Sequence, residues 1–177
     1  PDESSARFEA VCKLQEEVPD PDTDSSETLM IVCPFDGIGG ARVACGLLGL
    51  KPALYISIEE DPDCVCVVKK EWPEAVLHEK VEEVTVETLS KTFQDYPKLT
   101  QGLVIGGPPC QAFSAVNTQA TGFEDVRSGG VDAFVQLVQA CKTAAPKVKW
   151  DHMMENVASM SPYHRTTITE LLKPIQD

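Results

Sequence analysis

Leu103-Val104-Ile105-Gly106-Gly107-Pro108-Pro109-Cys110-Gln111 constrains the fold more than any other stretch of this 177-residue chain. Its apolar start reads as a buried strand. Two glycines and two prolines then force the backbone out of any regular element. A strand that stops this abruptly, with a cysteine just beyond it, fits an open α/β sheet. Such sheets collect their ligands and chemistry at the carboxyl ends of the strands. A structural cysteine is usually a small core hydrophobe within an apolar run. Cys110 follows the punctuation instead, which points to a positioned thiolate nucleophile.

The rest of the chain supplies the other elements of such a sheet. Leu29 to Cys33, Leu54 to Ile58, Ala75 to Val81, Leu103 to Ile105 and Trp150 to Met154 read as strands. Helices are expected over Gly40 to Leu48, Asp63 to Glu71, Glu87 to Phe93, Val131 to Thr143 and from Thr166 to Leu172. Asp61 caps the second of these, with Pro62 in its first turn. Alternating β and α elements predict a doubly wound, mostly parallel sheet with helices on both faces. Residues 29–177 form this unit. Residues 1–28 read as an acidic extension: a short amphipathic helix over Phe8 to Val18, then a linker rich in Pro, Ser and Asp.

Composition narrows the function. Residues 1–28 hold nine acids against Arg7 and Lys13, so they carry −7 of the net charge of −13. An acidic balance argues against a self-sufficient nucleic-acid binder. No apolar run approaches membrane-spanning length and no secretory signal opens the chain, so an intracellular protein is expected. The seven cysteines show neither a paired framework nor metal-ligand spacing, and no metal is expected. Pro1 in place of Met points to an excised fragment.

Three motifs sit at the expected strand ends. Phe35-Asp36-Gly37-Ile38-Gly39-Gly40 joins the first strand to the first helix. Its glycines let backbone approach a ligand at a helix N-terminus. The spacing matches neither a dinucleotide fingerprint nor a P-loop. Glu59-Glu60-Asp61 ends the second strand, where nucleotide-type folds grip ribose hydroxyls. The plainer account is an acid-rich helix start favoured by the dipole, and both can hold together. Glu155-Asn156-Val157 ends the fifth strand. Partial desolvation there would favour the neutral acid, which can donate a proton. Taken singly, Cys110 and Glu155 are each better explained as structural. Their placement on one sheet edge favours a paired role.

Together these motifs resemble the first, fourth (Gly107-Pro108-Pro109-Cys110-Gln111, with Ser114) and sixth motifs of the cytosine-C5 methyltransferases. They occur in that family's unpermuted order. The resemblance spans Leu29 to Leu172. Gly122-Phe123-Glu124-Asp125-Val126-Arg127 is similar to the loop that closes over DNA in bacterial members. Glu155 to Met160, with Arg165 and Ile168, is closer to the eukaryotic de novo type. The resemblance implies a Rossmann-like methyltransferase fold and S-adenosylmethionine as methyl donor. It makes Cys110 the nucleophile that adds to C6 of a flipped-out cytosine, and Glu155 the group on the N3 and N4 edge. Phe35 would pack on adenine, Asp36 to Gly40 would surround the methionine end, and Glu59 would hold the ribose. Glu60 and Glu83 would lie near adenine, and Gly107 and Pro108 along the cofactor. Gln111, Ser114, Asn156 and Arg127 would face the substrate.

Departures from the family pattern accompany the match. Glu60 stands where some members have a large apolar side chain. Glu83 replaces an Asp. The family's Gln-x-Arg-x-Arg segment, target-recognition region and last two motifs do not occur within these 177 residues. The sheet is therefore expected to be incomplete at its C-terminal end, and the stretch alone to be inactive. Double-stranded DNA is the expected partner, with homo- or hetero-oligomers of methyltransferase-like subunits also implied and a nuclear location if the source is eukaryotic. Two alternatives stand beside DNA methylation: a tRNA cytosine-C5 methyltransferase with the same chemistry, and a non-catalytic regulatory subunit.

Overall fold

The computed structural model describes residues 28–109 and 129–175. The Phe8 to Val18 segment, Cys110, Gln111, Ser114, and the Gly122 to Arg127 loop lie outside the described residues. Five strands form one sheet: β1 (Leu29–Pro34), β2 (Leu54–Ile58), β3 (Val76–His78), β4 (Gln101–Gly106) and β5 (Lys149–Met154). Their order is β3-β2-β1-β4-β5, and every neighbouring pair is parallel. The helices are α1 (Gly40–Leu47), α2 (Pro62–Glu71), α3 (Val86–Gln94), α4 (Gly129–Ala144) and α5 (Pro162–Leu172). Single 3₁₀ turns cover Val81–Glu83 and Lys173–Ile175. The doubly wound α/β architecture expected from the sequence is the one observed.

The period-2 geometry of a strand sends alternate side chains to opposite faces. Met30, Val32, Leu54, Ile56, Ile58 and Val104 pack with Leu89, Phe93, Phe134, Leu137 and Val138 of α3 and α4. Ile31, Cys33 and Tyr55 pack with Cys45 of α1, Val68 of α2 and Trp72. Both faces of β1 and β2 are thus covered, which explains their unbroken apolar runs. Burying each such side chain stabilises the fold by about 1.5–3 kcal/mol. Trp150 on β5 closes the first layer. It lies against Gly102, where an added Cβ would come within 2.5 Å of the indole, and its Nε1 donates to the Ala145 carbonyl.

Helix ends follow local chemistry. Asp61 Oδ1 accepts from the Asp63 and Cys64 amides at the start of α2. Thr85 caps α3 through the Thr88 amide. α5 begins at Pro162, four residues before the expected start, because Ser161 Oγ accepts from the His164 amide and Pro162 suits the first turn. At the end of α1, Leu50 N donates to Cys45 O and Gly49 N to Gly46 O, with Gly49 at φ 72°. This is a Schellman closure, and the left-handed residue explains the glycine. The third strand is shorter than expected. Val76–His78 alone pairs with β2, and Val81 turns into the 3₁₀ segment.

Candidate active site

The order β3-β2-β1 on one side and β4-β5 on the other puts a switch of direction between β1 and β4. Ligands of open α/β sheets bind outside the carboxyl ends of the strands at such a point. Two adjoining clefts open there. The larger, about 620 Å³, is lined by Phe35, Ile58, Glu59, Glu60, Gly107 and Pro109, by Glu79 to Glu82, and by Gly129 and Gly130. The smaller, about 390 Å³, is lined by Phe35, Asp36, Gly40, Gly107, Met153 and Glu155 among others. Phe35 and Gly107 belong to both.

The turn after β1 is tied down to β2. Phe35 has φ 56°, a left-handed backbone that is strained for a bulky residue. Asp36 N then donates to Ile58 O at 3.3 Å, and Gly37 N to Glu59 Oε2 at 2.8 Å. The other Glu59 oxygen, Oε1, accepts from Asp61 N at 2.9 Å. Two backbone donors therefore orient this carboxylate. Each oxygen keeps further acceptor capacity for a diol.

Asp36 sits below the turn. Burial pushes its carboxyl above the usual range, and hydrogen bonds from Ser57 and Tyr55 oppose that rise. Gly39, at φ 85°, serves packing instead. An added Cβ there would lie 2.3 Å from the Trp72 ring. The glycine is thus required by packing against the end of α2.

The loop after β4 and the loop after β5 are held together. Glu155 N donates to Gly106 O at 3.0 Å. Asn156 Nδ2 donates to Pro108 O at 3.3 Å, while its Oδ1 accepts from Val157 N. The Glu155 carboxyl lies over Gly107, where an added Cβ would meet Oε2 at 2.9 Å. The residue is exposed, so the desolvation expected at this strand end is absent: β5 is covered less than the inner strands and Glu155 lies beyond its last residue. Gly130 at the start of α4 meets the same region. Its added Cβ would be 3.1 Å from Pro108 and Pro109 and 3.5 Å from Phe35 Cζ.

The expected site residues therefore divide. Phe35, Glu59, Glu60 and Gly107 line the larger cleft, and Asp36, Gly40, Gly107 and Glu155 the smaller. Gly37 contributes its amide to Glu59. Ile38 is 61% exposed and lines neither cleft. Pro108 is buried behind the larger cleft, held by Asn156. Asn156 braces the two loops through its bonds to Pro108 and Val157, and its amide keeps a second N–H. Glu83 is not on the cleft wall, whereas Lys80, Val81 and Glu82 are. The 3₁₀ turn over Val81–Glu83 rotates successive side chains by about 120°, so Glu82 and Glu83 point apart. Sequence reading missed Glu79 to Glu82 because it ran a strand on to Val81 and assigned no element just beyond it. It also missed Gly129-Gly130, a helix-opening pair whose signal was visible.

A sequence model of the C-5 cytosine-specific DNA methylase family matches residues 30–177. The chain belongs to that family. It is 29% identical over 152 residues to the type II methyltransferase M.AquIA of Picosynechococcus sp., a match covering 82% of this chain and 57% of the relative. Among solved structures it is similar to a Spodoptera frugiperda DNMT2 variant (TM-score 0.56, 20% identity, 84% of this chain and 41% of that one). A putative DNA modification methyltransferase encoded within an E. coli prophage is similar too (TM-score 0.55, 19% identity, 83% and 38%). The chain thus spans little more than half of the curated relative and about two fifths of these structures. The same fold is shared with both.

The family uses S-adenosyl-L-methionine, and the clefts suit it. Phe35 contributes an aromatic ring to the lining of both clefts, Glu59 an oriented carboxylate, and Gly107 and Gly130 leave room that a side chain would fill. Among the described residues no helix is long and apolar enough to cross a membrane.

Proposed function

We propose that this chain forms the cofactor-binding and nucleophile-bearing part of an enzyme that methylates cytosine C5 in DNA through a covalent bond between Cys110 and cytosine C6. One observation carries the reading. The Glu155 carboxyl lies over Gly107, three residues before Cys110, and both Glu155 and Gly107 line a cleft continuous with the Phe35 and Glu59 slot.

The chemistry needs such a pairing. Cytosine C5 is a poor nucleophile. Addition of the Cys110 thiolate at C6 turns the C5–C6 double bond into an enamine whose electron density rises at C5. Glu155 would bind the N3 and N4 edge and donate a proton at N3, offsetting the charge as the Cys110–C6 bond forms. When bound, S-adenosylmethionine supplies an electrophilic methyl group. Phe35 would stack on its adenine, Glu59 would accept from its ribose hydroxyls, and Asp36 with Gly40 would line its methionine end. Lys80 and Glu82 would face the adenine edge in place of Glu83. Loss of the C5 proton and of the Cys110 sulfur from C6 then restores the aromatic ring. The base must leave the duplex to reach this edge. The sites proposed for Gln111, Ser114 and Arg127, along the flipped base and its strand, belong to the same reading.

DNA containing 5-fluorocytosine tests it. Fluorine at C5 blocks the final elimination, so incubating the intact protein with this DNA and S-adenosylmethionine should leave an adduct that survives a denaturing gel. Cys110→Ser should abolish the adduct. A 5-fluorocytidine tRNA run in parallel separates substrates: an adduct with RNA alone moves the activity to tRNA. No adduct on either nucleic acid, from a chain that binds cofactor, would favour a regulatory subunit.

A further inference from the structure

The Asp36 carboxylate is held from below by two buried hydroxyls, a feature that no motif in the sequence announces. Tyr55 and Ser57 lie two residues apart on β2, so both point to the same face of the sheet. Each is 2% exposed, and Ser57 is the polar residue buried in the core among the described residues. The Tyr55 hydroxyl and the Ser57 hydroxyl both donate to Oδ2 of Asp36. Asp36 Oδ1 keeps no hydrogen bond among the described residues, and Asp36 lines the smaller cleft. The backbone on either side is fixed as well, through Asp36 N to Ile58 O and Gly37 N to Glu59 Oε2. Tyr55 is itself braced by an edge-on contact with Trp72, ring centres 5.8 Å apart, and Trp72 supports Gly39.

We propose that Tyr55 and Ser57 are positioning residues: by clamping one oxygen of Asp36 they set the turn after β1 and present the other oxygen to the methionine end of the cofactor. This rests on the cofactor reading of the clefts. The chemistry favours it. Burial disfavours the charged form of Asp36, and the two hydroxyl donors oppose that effect. S-adenosylmethionine is cationic at its sulfonium and its ammonium, so an oriented anion at that end complements it. Without the donors the carboxylate is free to rotate or to take up a proton. Both hydroxyls are buried and would need an acceptor in any case, so an affinity cycle is what separates positioning from packing.

The test is S-adenosylmethionine affinity, measured calorimetrically on the full chain and its variants. Tyr55→Phe and Ser57→Ala each remove one oxygen and should each weaken binding about tenfold, the usual effect of losing a hydrogen bond to a charged group. Ser57→Thr, which keeps the hydroxyl, should recover most of the loss. The deciding readout is a double-mutant cycle. If the hydroxyls act through Asp36, Tyr55→Phe should cost little further affinity in an Asp36→Ala background. Thermal unfolding run alongside shows that each variant is folded. Affinity unchanged within twofold in both folded variants would overturn the inference and leave the cofactor reading intact. So would losses that simply add to that of Asp36→Ala. A wild-type chain that does not bind S-adenosylmethionine overturns the cofactor reading, and this inference with it.

Discussion

Gly106→Ala should destabilise the chain far more than a single methyl group suggests. Gly106 ends β4 beside the end of β1. An added Cβ would lie 2.1 Å from the Pro34 carbonyl oxygen and 2.9 Å from Pro34 Cγ. The first contact is 1.3 Å short of the 3.4 Å at which ordinary van der Waals contact begins, and the obstacle is backbone. Relief by moving Gly106 is opposed on its other side, where its carbonyl accepts from Glu155 N at 3.0 Å. Overpacking of this kind costs about 1–3 kcal/mol, and a strained hydrogen bond adds about 1 kcal/mol. We expect a loss of about 3 kcal/mol, a factor of more than about a hundred in the folding equilibrium. For a domain of this size that lowers Tm by roughly 6–12 °C. Gly46→Ala is the control. Gly46 lies in α1 with nothing within 4 Å of an added Cβ, so alanine there should stabilise by about 0.5–1 kcal/mol. Urea titration followed by circular dichroism measures both. A Gly106→Ala chain as stable as wild type, or a Gly46→Ala chain equally weakened, would refute the steric argument.

Two further outcomes are expected. Asp61→Ala removes the carboxylate that caps α2 through the Asp63 and Cys64 amides, and should cost about 1 kcal/mol in the same titration, while Asp61→Asn should restore most of it. His78 and His152 are both held below the usual imidazole range, chiefly by burial. Their neutral forms are favoured in the folded state. Stability from this source is present above about pH 6.5, the unfolded value, and is lost as pH falls through the lower folded value. Urea midpoints at pH 7.5, 6.5 and 5.5 should therefore decline, and more steeply in wild type than in a His78→Asn, His152→Gln double variant. Equal slopes would exclude the histidines as the source.

Much of the framework was legible because the chain states it in one-dimensional signals. β1 and β2 are apolar runs bounded by turns, and both lie at the sheet centre with two covered faces. Asp61-Pro62 announced α2, and Gly49 the end of α1. The glycine turn, Glu59 and Glu155 were placed at the sheet's carboxyl edge by strand order alone. What failed depended on geometry across the sequence. The third strand was expected to run on to Val81, yet a 3₁₀ turn starts there and decides which of Glu82 and Glu83 meets the cleft. Gly39 reads as a ligand-facing glycine, and the sequence does not show that Trp72 is brought under it from the far end of α2. Asn156 reads as a substrate contact, and nothing in the sequence shows that its amide also reaches Pro108, forty-eight residues away. Tyr55 and Ser57 look like ordinary strand residues, and only the parallel pairing of β1 with β2 reveals what they hold.

On the proposed mechanism, that bond between Asn156 and Pro108 bears on reaction rate as well as architecture. Pro108 precedes Cys110 by two residues and Asn156 follows Glu155 directly, so one amide couples the segments leading to the two groups proposed to react. A pair held in register acts with a high effective molarity, and small misplacements of such groups cost rate steeply. Loosening the amide, as in Asn156→Ala, would leave both side chains intact and the clefts open. If Cys110 and Glu155 act as proposed, its effect would fall on how often the thiolate and the acid meet the base together.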